Sequence, residues 1–412
     1  MRLAAIIGYA GKGLFNTPTK IESVKDLHTN FGKKSKLTTV AEQLLFGDFS
    51  PVVVRVEEDV PTASAYLLDD NDTICMTIQA DSPGVSGNST IVEVTREADK
   101  FNLLVMNNGE MVEFWGNLTP HEAEDTVNLA SKWIVLSVKK SNLPTACKVD
   151  LRFAPKQKAE KRIGAILNAV KSTEDSDIEF ISIPDCDSTG VINEVLQYLE
   201  EERPDVMLAI DPPWECDLLQ TYKWCKELVP SDQGVMFWPW MNYDKKSVPP
   251  SGPVLTAILS WPFVWNPVRT KLAGVSDAAF SIHHDELVYL SKKEHFINIA
   301  NKKNDSLILD TKVLTLGGSK LSDRRLLGYI KNKISKLGRE LLSAHNPVSN
   351  NFRNNFIECS EYILQPIKDD QGINNYVIRV NEFCKPEEFE VDIELTIKDS
   401  VEFVNICFKF TK

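Results

Sequence analysis

Between Ile178 and Trp240 the sequence alternates between short apolar runs and amphipathic ones. "IEFISIPD" (Ile178–Asp185), "DVMLAIDPP" (Asp205–Pro213) and "GVMFWPW" (Gly234–Trp240) read as strands. "GVINEVLQYLEEE" (Gly190–Glu202) and "DLLQTYKWCKELV" (Asp217–Val229) read as the helices between them. In the first helix Val191, Val195, Leu196 and Leu199 fall on one stripe. Strands joined by helices over such short links become parallel neighbours with right-handed crossovers. A chain with this centre contains an α/β domain built on a mostly parallel sheet.

The flanks have other textures. The opening is β-α-α-β: Leu3–Tyr9 as a strand, Glu22–Phe31 as a helix with Ser23 as N-cap and Gly32 at its end, Thr38–Phe46 as a second helix, and "PVVVRV" (Pro51–Val56) as a strand apolar enough to be buried on both faces. From residue 61 to 138 short strands separated by Asp, Asn, Gly and Pro turns predict a β-rich insert, closed by a helix and strand over His121–Val138. The last hundred or so residues predict a helix over Ser322–Leu342 capped by Ser322, a second over Asn351–Leu364, and three strands, Asn375–Glu382, Glu388–Lys398 and Glu402–Phe410. The middle strand alternates cleanly, with Phe389, Val391, Ile393, Leu395 and Ile397 on one face and Glu388, Glu390, Asp392, Glu394, Thr396 and Lys398 on the other. The expected fold class is multidomain, α/β and α+β. An α/β middle domain would take 1–60 plus 139–305, a β-rich outer insert 61–138, and a C-terminal α+β domain 306–412.

Charge and cysteine usage narrow the function. The 46 basic and 58 acidic residues give a formal net charge of −12, which argues against a dedicated nucleic-acid binder. No apolar run approaches the ~18 residues that a membrane-spanning helix needs. Arg2 followed by Leu3–Ala10 faintly resembles a secretion signal, but the apolar run is minimal and charge returns at Lys12, so a buried strand and turn is the better reading. The eight cysteines, at 75, 147, 186, 216, 225, 359, 384 and 407, form no CxxC pair or other metal-ligand spacing and read as reduced.

Few stretches offer chemistry. "GYAGKG" (Gly8–Gly13) follows a strand, but Lys12 is followed by Gly13 and not by a hydroxyl residue opening a helix, so it is a turn and not a phosphate loop. "HHDE" (His283–Glu286) offers four potential ligands in a row, which point in different directions, so a solvated segment is expected. "DPPWE" (Asp211–Glu215) lies at the carboxyl end of a parallel strand, where α/β proteins often bind ligands. Asp211 and Glu215, beside Trp214, are the alternative enzyme-like reading. The structural reading is that the prolines end the strand, and no nucleophile motif accompanies them. No catalytic, cofactor or metal site is expected. Lys320, Arg324, Arg325, Lys331, Lys333, Lys336 and Arg339 concentrate positive charge on the helix from Ser322, opposed only by Asp323 and Glu340. That face is either merely solvated or attracts an acidic partner. The regular terminal hairpin must either lie inside its own sheet or exchange strands with another subunit.

Several of these stretches, taken in order, resemble the contractile tail sheath proteins of bacteriophages and phage-tail-like injection systems. "IIGYAGKGLFNTPTKIESVKDLHTNFG" with "PVVVRV" is similar to that family's opening, "ADSPGVSGNSTIVEV" to its PG-x-x-GN segment, and "EFISIPD", "LAIDPP" and "FWPWMNYDKKSVPPSGPV" to its central strands and connector. "WPFVWNPVRTKLAGV", "SDRRLLGYIKNKI" and "EEFEVDIELTIKDSVEFVNICFKF" resemble the segments that follow. Ser86 stands where the family often has Trp, "LLSAHNP" replaces its Glu-Pro-Asn stretch, and the extended arm that commonly precedes its first strand is not among these residues.

The resemblance implies a non-enzymatic subunit that polymerises as stacked hexameric rings around a tail tube, assembled in a bacterial cytoplasm and carried in a virion tail or tail-like particle. Its implied partners are copies of itself, the tube protein, and baseplate and terminator proteins, with no nucleic acid and no membrane insertion. It places the basic helix against the tube. It assigns Val391, Ile393, Leu395, Ile397, Val404, Ile406, Phe408 and Phe410 to strand pairing between subunits. Phe237–Val254 becomes a stiff connector, held by prolines that restrict φ and by Trp238 and Trp240 as anchors.

Overall fold

The computed structural model describes residues 3–58, 62–83, 85–152, 163–184, 186–214, 216–243, 246–261, 263–265, 272, 275–278, 297–303, 306–309, 320–344, 350–381, 388–397 and 403–411. The chain divides into two compact units, one formed by Met1–Ala5, Phe46–Phe49 and Ser176–Lys412, the other by Ile6–Leu45 and Ser50–Asp175.

The first unit is built on the parallel strands expected from the centre of the sequence. Phe180–Ser182, Met207–Ile210, Gly234–Trp238 and Ile297–Lys303 pair side by side in that order, all parallel, and Ser306–Leu309 adds antiparallel to the last. The helices Thr189–Glu202 and Leu218–Cys225 are the crossovers between the first three strands. The three strands Phe180–Ser182, Met207–Ile210 and Gly234–Trp238 are buried at every residue, which is why they carry continuous apolar runs without alternation. Val191, Ile192, Val195, Leu196 and Leu199 form the buried stripe of the first crossover helix. Asp217 caps the second, in a capping box with Gln220.

In the second unit, Ser23 accepts the Asp26 amide at the start of helix Val24–Phe31, and Gly32 ends that helix at φ 84°. The second helix covers Lys36–Phe46. Strand Val52–Arg55 is wholly buried and pairs with Thr19–Lys20. The β-rich segment forms two sheets. Ser64–Leu68, Ile74–Ala80 and Ile134–Val138 make one, and Cys147–Asp150, Thr90–Glu97, Lys100–Asn107 and Glu110–Leu118 the other, in those orders. They share an apolar core that includes Leu67, Met76, Val92, Phe101, Leu103 and Leu136. These sheets take in Cys147–Asp150, beyond residue 138, because this strand pairs with Thr90–Glu97.

The connector is more regular than a stiff loop. Met241–Tyr243 and Lys246–Val248 pair as a short antiparallel ladder, and Ser251–Leu259 is a helix entered directly from Pro249 and Pro250. The helix predicted from Ser322 spans Leu321–Ala344, so Ser322 lies inside its first turn and does not cap it. The next helix spans Asn350–Asp369, with Pro366 inside it. No helix among the described residues is long and apolar enough to cross a membrane.

Candidate assembly site

The chain ends in an antiparallel sheet of three strands, Ile373–Asn381, Glu388–Ile397 and Phe403–Thr411, with Glu388–Ile397 in the middle. Strict alternation makes one face of this middle strand apolar. Phe389, Val391, Ile393, Leu395 and Ile397 are buried there, in one core with Leu326, Ile330 and Ile334 of the first long helix and Phe352, Phe356, Leu364 and Ile367 of the second. The Phe389 ring meets Phe352 and Phe356 edge-on, with centroids 4.9 and 5.3 Å away. Glu390, Asp392 and Glu394 alternate with these residues, and Arg379 reaches Glu394 at 2.9 Å.

This placement changes the expectation for strand sharing. Both edges of the middle strand are taken by the chain itself, and Val391, Ile393, Leu395 and Ile397 serve its own core. Val404, Ile406, Phe408 and Phe410 stand opposite Leu395, Ile393, Val391 and Phe389 in the ladder. Among the described residues, the outer rims of Ile373–Asn381 and Phe403–Thr411 pair with no further strand. Among the described residues, these rims are the open edges of the terminal sheet.

The basic helix Leu321–Ala344 is split by its geometry. Residues 321, 324, 325, 328 and 332 lie on one side, following helical spacing. Gly328 is needed there, because a Cβ would stand 2.8 Å from the Asp205 carbonyl oxygen. Arg324 donates through Nε to the Asp232 carbonyl (3.2 Å) and through Nη2 to that of Pro204 (3.0 Å), and Asn332 donates to Asp205 Oδ2 at 3.2 Å. Arg203 holds Asp205 from its other side with two donors, at 3.0 and 3.1 Å. Arg325 donates to the Glu179 carboxylate. Arg324 and Arg325 are thus buried, at 7% and 1% exposure, and bind the helix to the parallel sheet; neither is turned outward to a tube. Burial pulls the Arg324 guanidinium below its ordinary pKa, against the attraction of Asp232, Glu200 and Asp205. Burial also lowers the half-buried Lys331 amine, with Arg324 adding to the effect and Asp205 opposing it. Lys333 lies 5.7 Å from the Tyr329 ring centroid, and Lys320, Lys336 and Arg339 are exposed. The exposed cations are therefore Lys320, just before the helix, and Lys336 and Arg339 in its later turns, with Lys333 partly exposed.

The enzyme-like position is occupied by a structural contact. Asp211 Oδ1 accepts the Ser251 amide (2.8 Å) and Oδ2 accepts the Ser251 hydroxyl (2.6 Å), while Ser182 donates to Ser251 Oγ at 2.9 Å. The buried carboxylate thus holds the start of helix Ser251–Leu259, where backbone amides lack intrahelical partners. Trp238 donates to the Cys216 carbonyl at 3.0 Å, and Trp240 to that of Pro212 at 2.9 Å. Asp211–Trp214 and the start of helix Ser251–Leu259 are thus held together, with Trp238 and Trp240 packed beside them. Trp214 is largely exposed and donates to Ser247 at 3.3 Å; Glu215 lies outside the described residues, as does His283–Glu286. Among the described residues no cluster of three or more His, Cys, Asp or Glu could hold a metal ion.

The whole chain superposes on solved sheath proteins. A sheath tail protein from Listeria innocua matches with a TM-score of 0.77 over 99% of this chain and 94% of that one, at 14% identity. The fold is that of a tail sheath protein. A second sheath tail protein, from Desulfitobacterium hafniense, matches with a TM-score of 0.71 over 100% and 96% of the two chains, at 12% identity. The contracted helical sheath of the anti-feeding prophage matches with a TM-score of 0.59 over 100% and 94%, at 13% identity. No family model matches the sequence, and no curated protein does.

Within this sheath fold, the sequence had two signals for the inward side of the basic helix that charge counting passed over. One is Gly328 in mid-helix, where a glycine costs helix stability unless a backbone passes close by. The other is the spacing of Arg324 and Arg325 four and three residues before it, and of Asn332 four after, on the same side.

Proposed function

We propose that this protein is the structural, non-catalytic subunit of a contractile tail sheath. Copies polymerise as stacked hexameric rings around a tail tube in an extended, metastable form, and rearrange into a shorter and wider lattice that drives the tube through a cell envelope. The observation that carries this reading is the match of the sheath fold over essentially the entire chain, with no large segment left over for another activity.

The energy is stored at assembly. Repacking on the order of 200 Å² of apolar surface per subunit yields ~5 kcal/mol at ~25 cal/mol/Å². The C-terminal part, 306–412, is the tube-facing part of the subunit. The tube contact runs through Lys320, Lys336 and Arg339, with Lys333 beside them. Exposed ion pairs of about 0–1 kcal/mol each suit a grip that must let go. Neighbours join by adding a strand at the rims of the terminal sheet, where each backbone hydrogen bond contributes ~1 kcal/mol. Baseplate and terminator proteins bound the polymer, which is assembled in the bacterial cytoplasm and carried in a virion tail or tail-like particle.

Electron microscopy of the purified protein tests the proposal. Tubes or stacked rings support it, and a monomer at every concentration overturns it. Removing the residues from Glu402 onward deletes one rim and is expected to abolish polymer formation; intact sheaths from the truncated chain would refute strand sharing there. Triggered particles that keep their length would show a non-contractile tail component of the same fold.

A further inference from the structure

The sheath reading assigns no role to Lys12 of the "GYAGKG" turn. Gly13, at φ 106°, fixes the turn against the helix Val24–Phe31, since a Cβ there would meet the Asn30 carbonyl oxygen at 2.9 Å and the Phe31 ring at 3.1 Å. The turn thereby delivers the Lys12 side chain into the β-rich segment, where the residue is 6% exposed. Its Nζ donates to the Lys132 carbonyl at 3.1 Å and lies 3.5 Å from the Trp133 ring centroid. Both of these contacts are with neutral groups.

Three charged groups face the ammonium from the elements around it. Glu113, on strand Glu110–Leu118, already accepts from the Ser131 hydroxyl (2.7 Å), the Lys132 amide (2.7 Å) and Trp115 Nε1 (3.1 Å). Asp81 follows strand Ile74–Ala80 and donates its amide to the Trp133 carbonyl at 3.0 Å. Burial raises the pKa of its carboxyl, against the pull of Lys12, which weakens it as a counterion. The Lys132 ammonium repels. A buried charge without a close counterion favours any state that returns it to water; the ring and the carbonyl offset only part of that cost.

We propose that Lys12 is a proton-linked release point: its buried ammonium biases the turn toward leaving the β-rich segment, and loss of the proton locks the turn in place. Burial moves the Lys12 amine from 10.5 down to about 8, against the attraction of Asp81 and Glu113. A closed state that holds the proton less tightly than the open one is disfavoured wherever both are protonated. The bias toward opening is complete below pH 8 and fades between about 8 and 10.5 as closing ceases to expel a proton. The span of those two values sets a ceiling of about 300-fold on the change in the opening equilibrium. The release point requires nothing of the polymer and stands or falls on the isolated chain.

Two measurements on the full chain test it. The first follows lysine Cε by carbon-13 NMR through an alkaline titration, with Lys12→Met assigning the resonance or, if that variant does not fold, Lys12→Arg. A Lys12 midpoint near 8 is expected, and a midpoint at or above 10 overturns the proposal. The second compares amide exchange at residues 131–134 in wild type and Lys12→Met at pH 7. Exchange at least several-fold slower in Lys12→Met is expected, because an apolar side chain of similar length removes the bias. Equal or faster exchange in the variant overturns it. If Lys12→Met does not fold, that failure contradicts a destabilising role for the charge and also counts against the proposal.

Discussion

Arg325 on the helix Leu321–Ala344 and Glu179 at the start of strand Phe180–Ser182 form an ion pair shut off from solvent, across 146 positions of sequence. This pair ties the C-terminal helix to the parallel sheet. Removing one partner strands the other as a buried charge. Arg325→Met is expected to destabilise the protein by about 3–5 kcal/mol, and the double replacement with Glu179→Leu to recover most of the loss. A double-mutant cycle by urea denaturation measures this coupling.

Gly328 meets the Asp205 backbone, which cannot swing aside as a side chain could. On helix propensity alone, Gly328→Ala would stabilise by ~0.8–1 kcal/mol. The contact reverses that sign, and a loss of about 1–3 kcal/mol is expected from overpacking. The direction of the shift in a thermal melt separates the two.

The Asp211–Ser251 contact holds the helix Ser251–Leu259 at the carboxyl end of the sheet. Asp211→Ala leaves a buried amide and hydroxyl without this acceptor and is expected to cost about 2–3 kcal/mol; Ser251→Ala keeps the amide contact but leaves the Ser182 hydroxyl and one Asp211 oxygen without theirs, and is expected to cost about 1–2 kcal/mol. Chemical denaturation of both variants checks the order. A larger loss for Ser251→Ala contradicts the assignment.

The exposed and the buried cations of the basic helix should respond differently to charge reversal. Changing Lys320, Lys336 and Arg339 together to Glu is expected to move folding stability by no more than about 0.5 kcal/mol per site while weakening salt-sensitive assembly on the tube. Arg324→Glu or Arg325→Glu should instead lose the folded state, since each puts a carboxylate where a buried guanidinium now donates. Circular dichroism read beside sedimentation distinguishes loss of fold from loss of assembly.

Legibility in the sequence followed the physics of each element. The strand Glu388–Ile397 could be read face by face, because a sheet with one dry side forces period two, and all five apolar residues are indeed buried. The parallel strands were equally legible from their continuous apolar runs. "CKVD" (Cys147–Asp150) was not, since its place depends on pairing with Thr90–Glu97, more than fifty positions away. The helix Ser251–Leu259 hid within the proline-rich connector, although proline is well suited to a helix start. At the candidate site, charge sign could be read but direction could not. Arg324 and Arg325 look like the exposed cations beside them until the carbonyls of Pro204 and Asp232 and the Glu179 carboxylate are in place.

The terminal sheet keeps its apolar layer beneath a central strand whose hydrogen-bonding groups are engaged on both flanks by its own chain. If copies add strands along its borders, as proposed, they can trade partners without wetting the interior: the seam between molecules would open and close while each molecule stays dry inside.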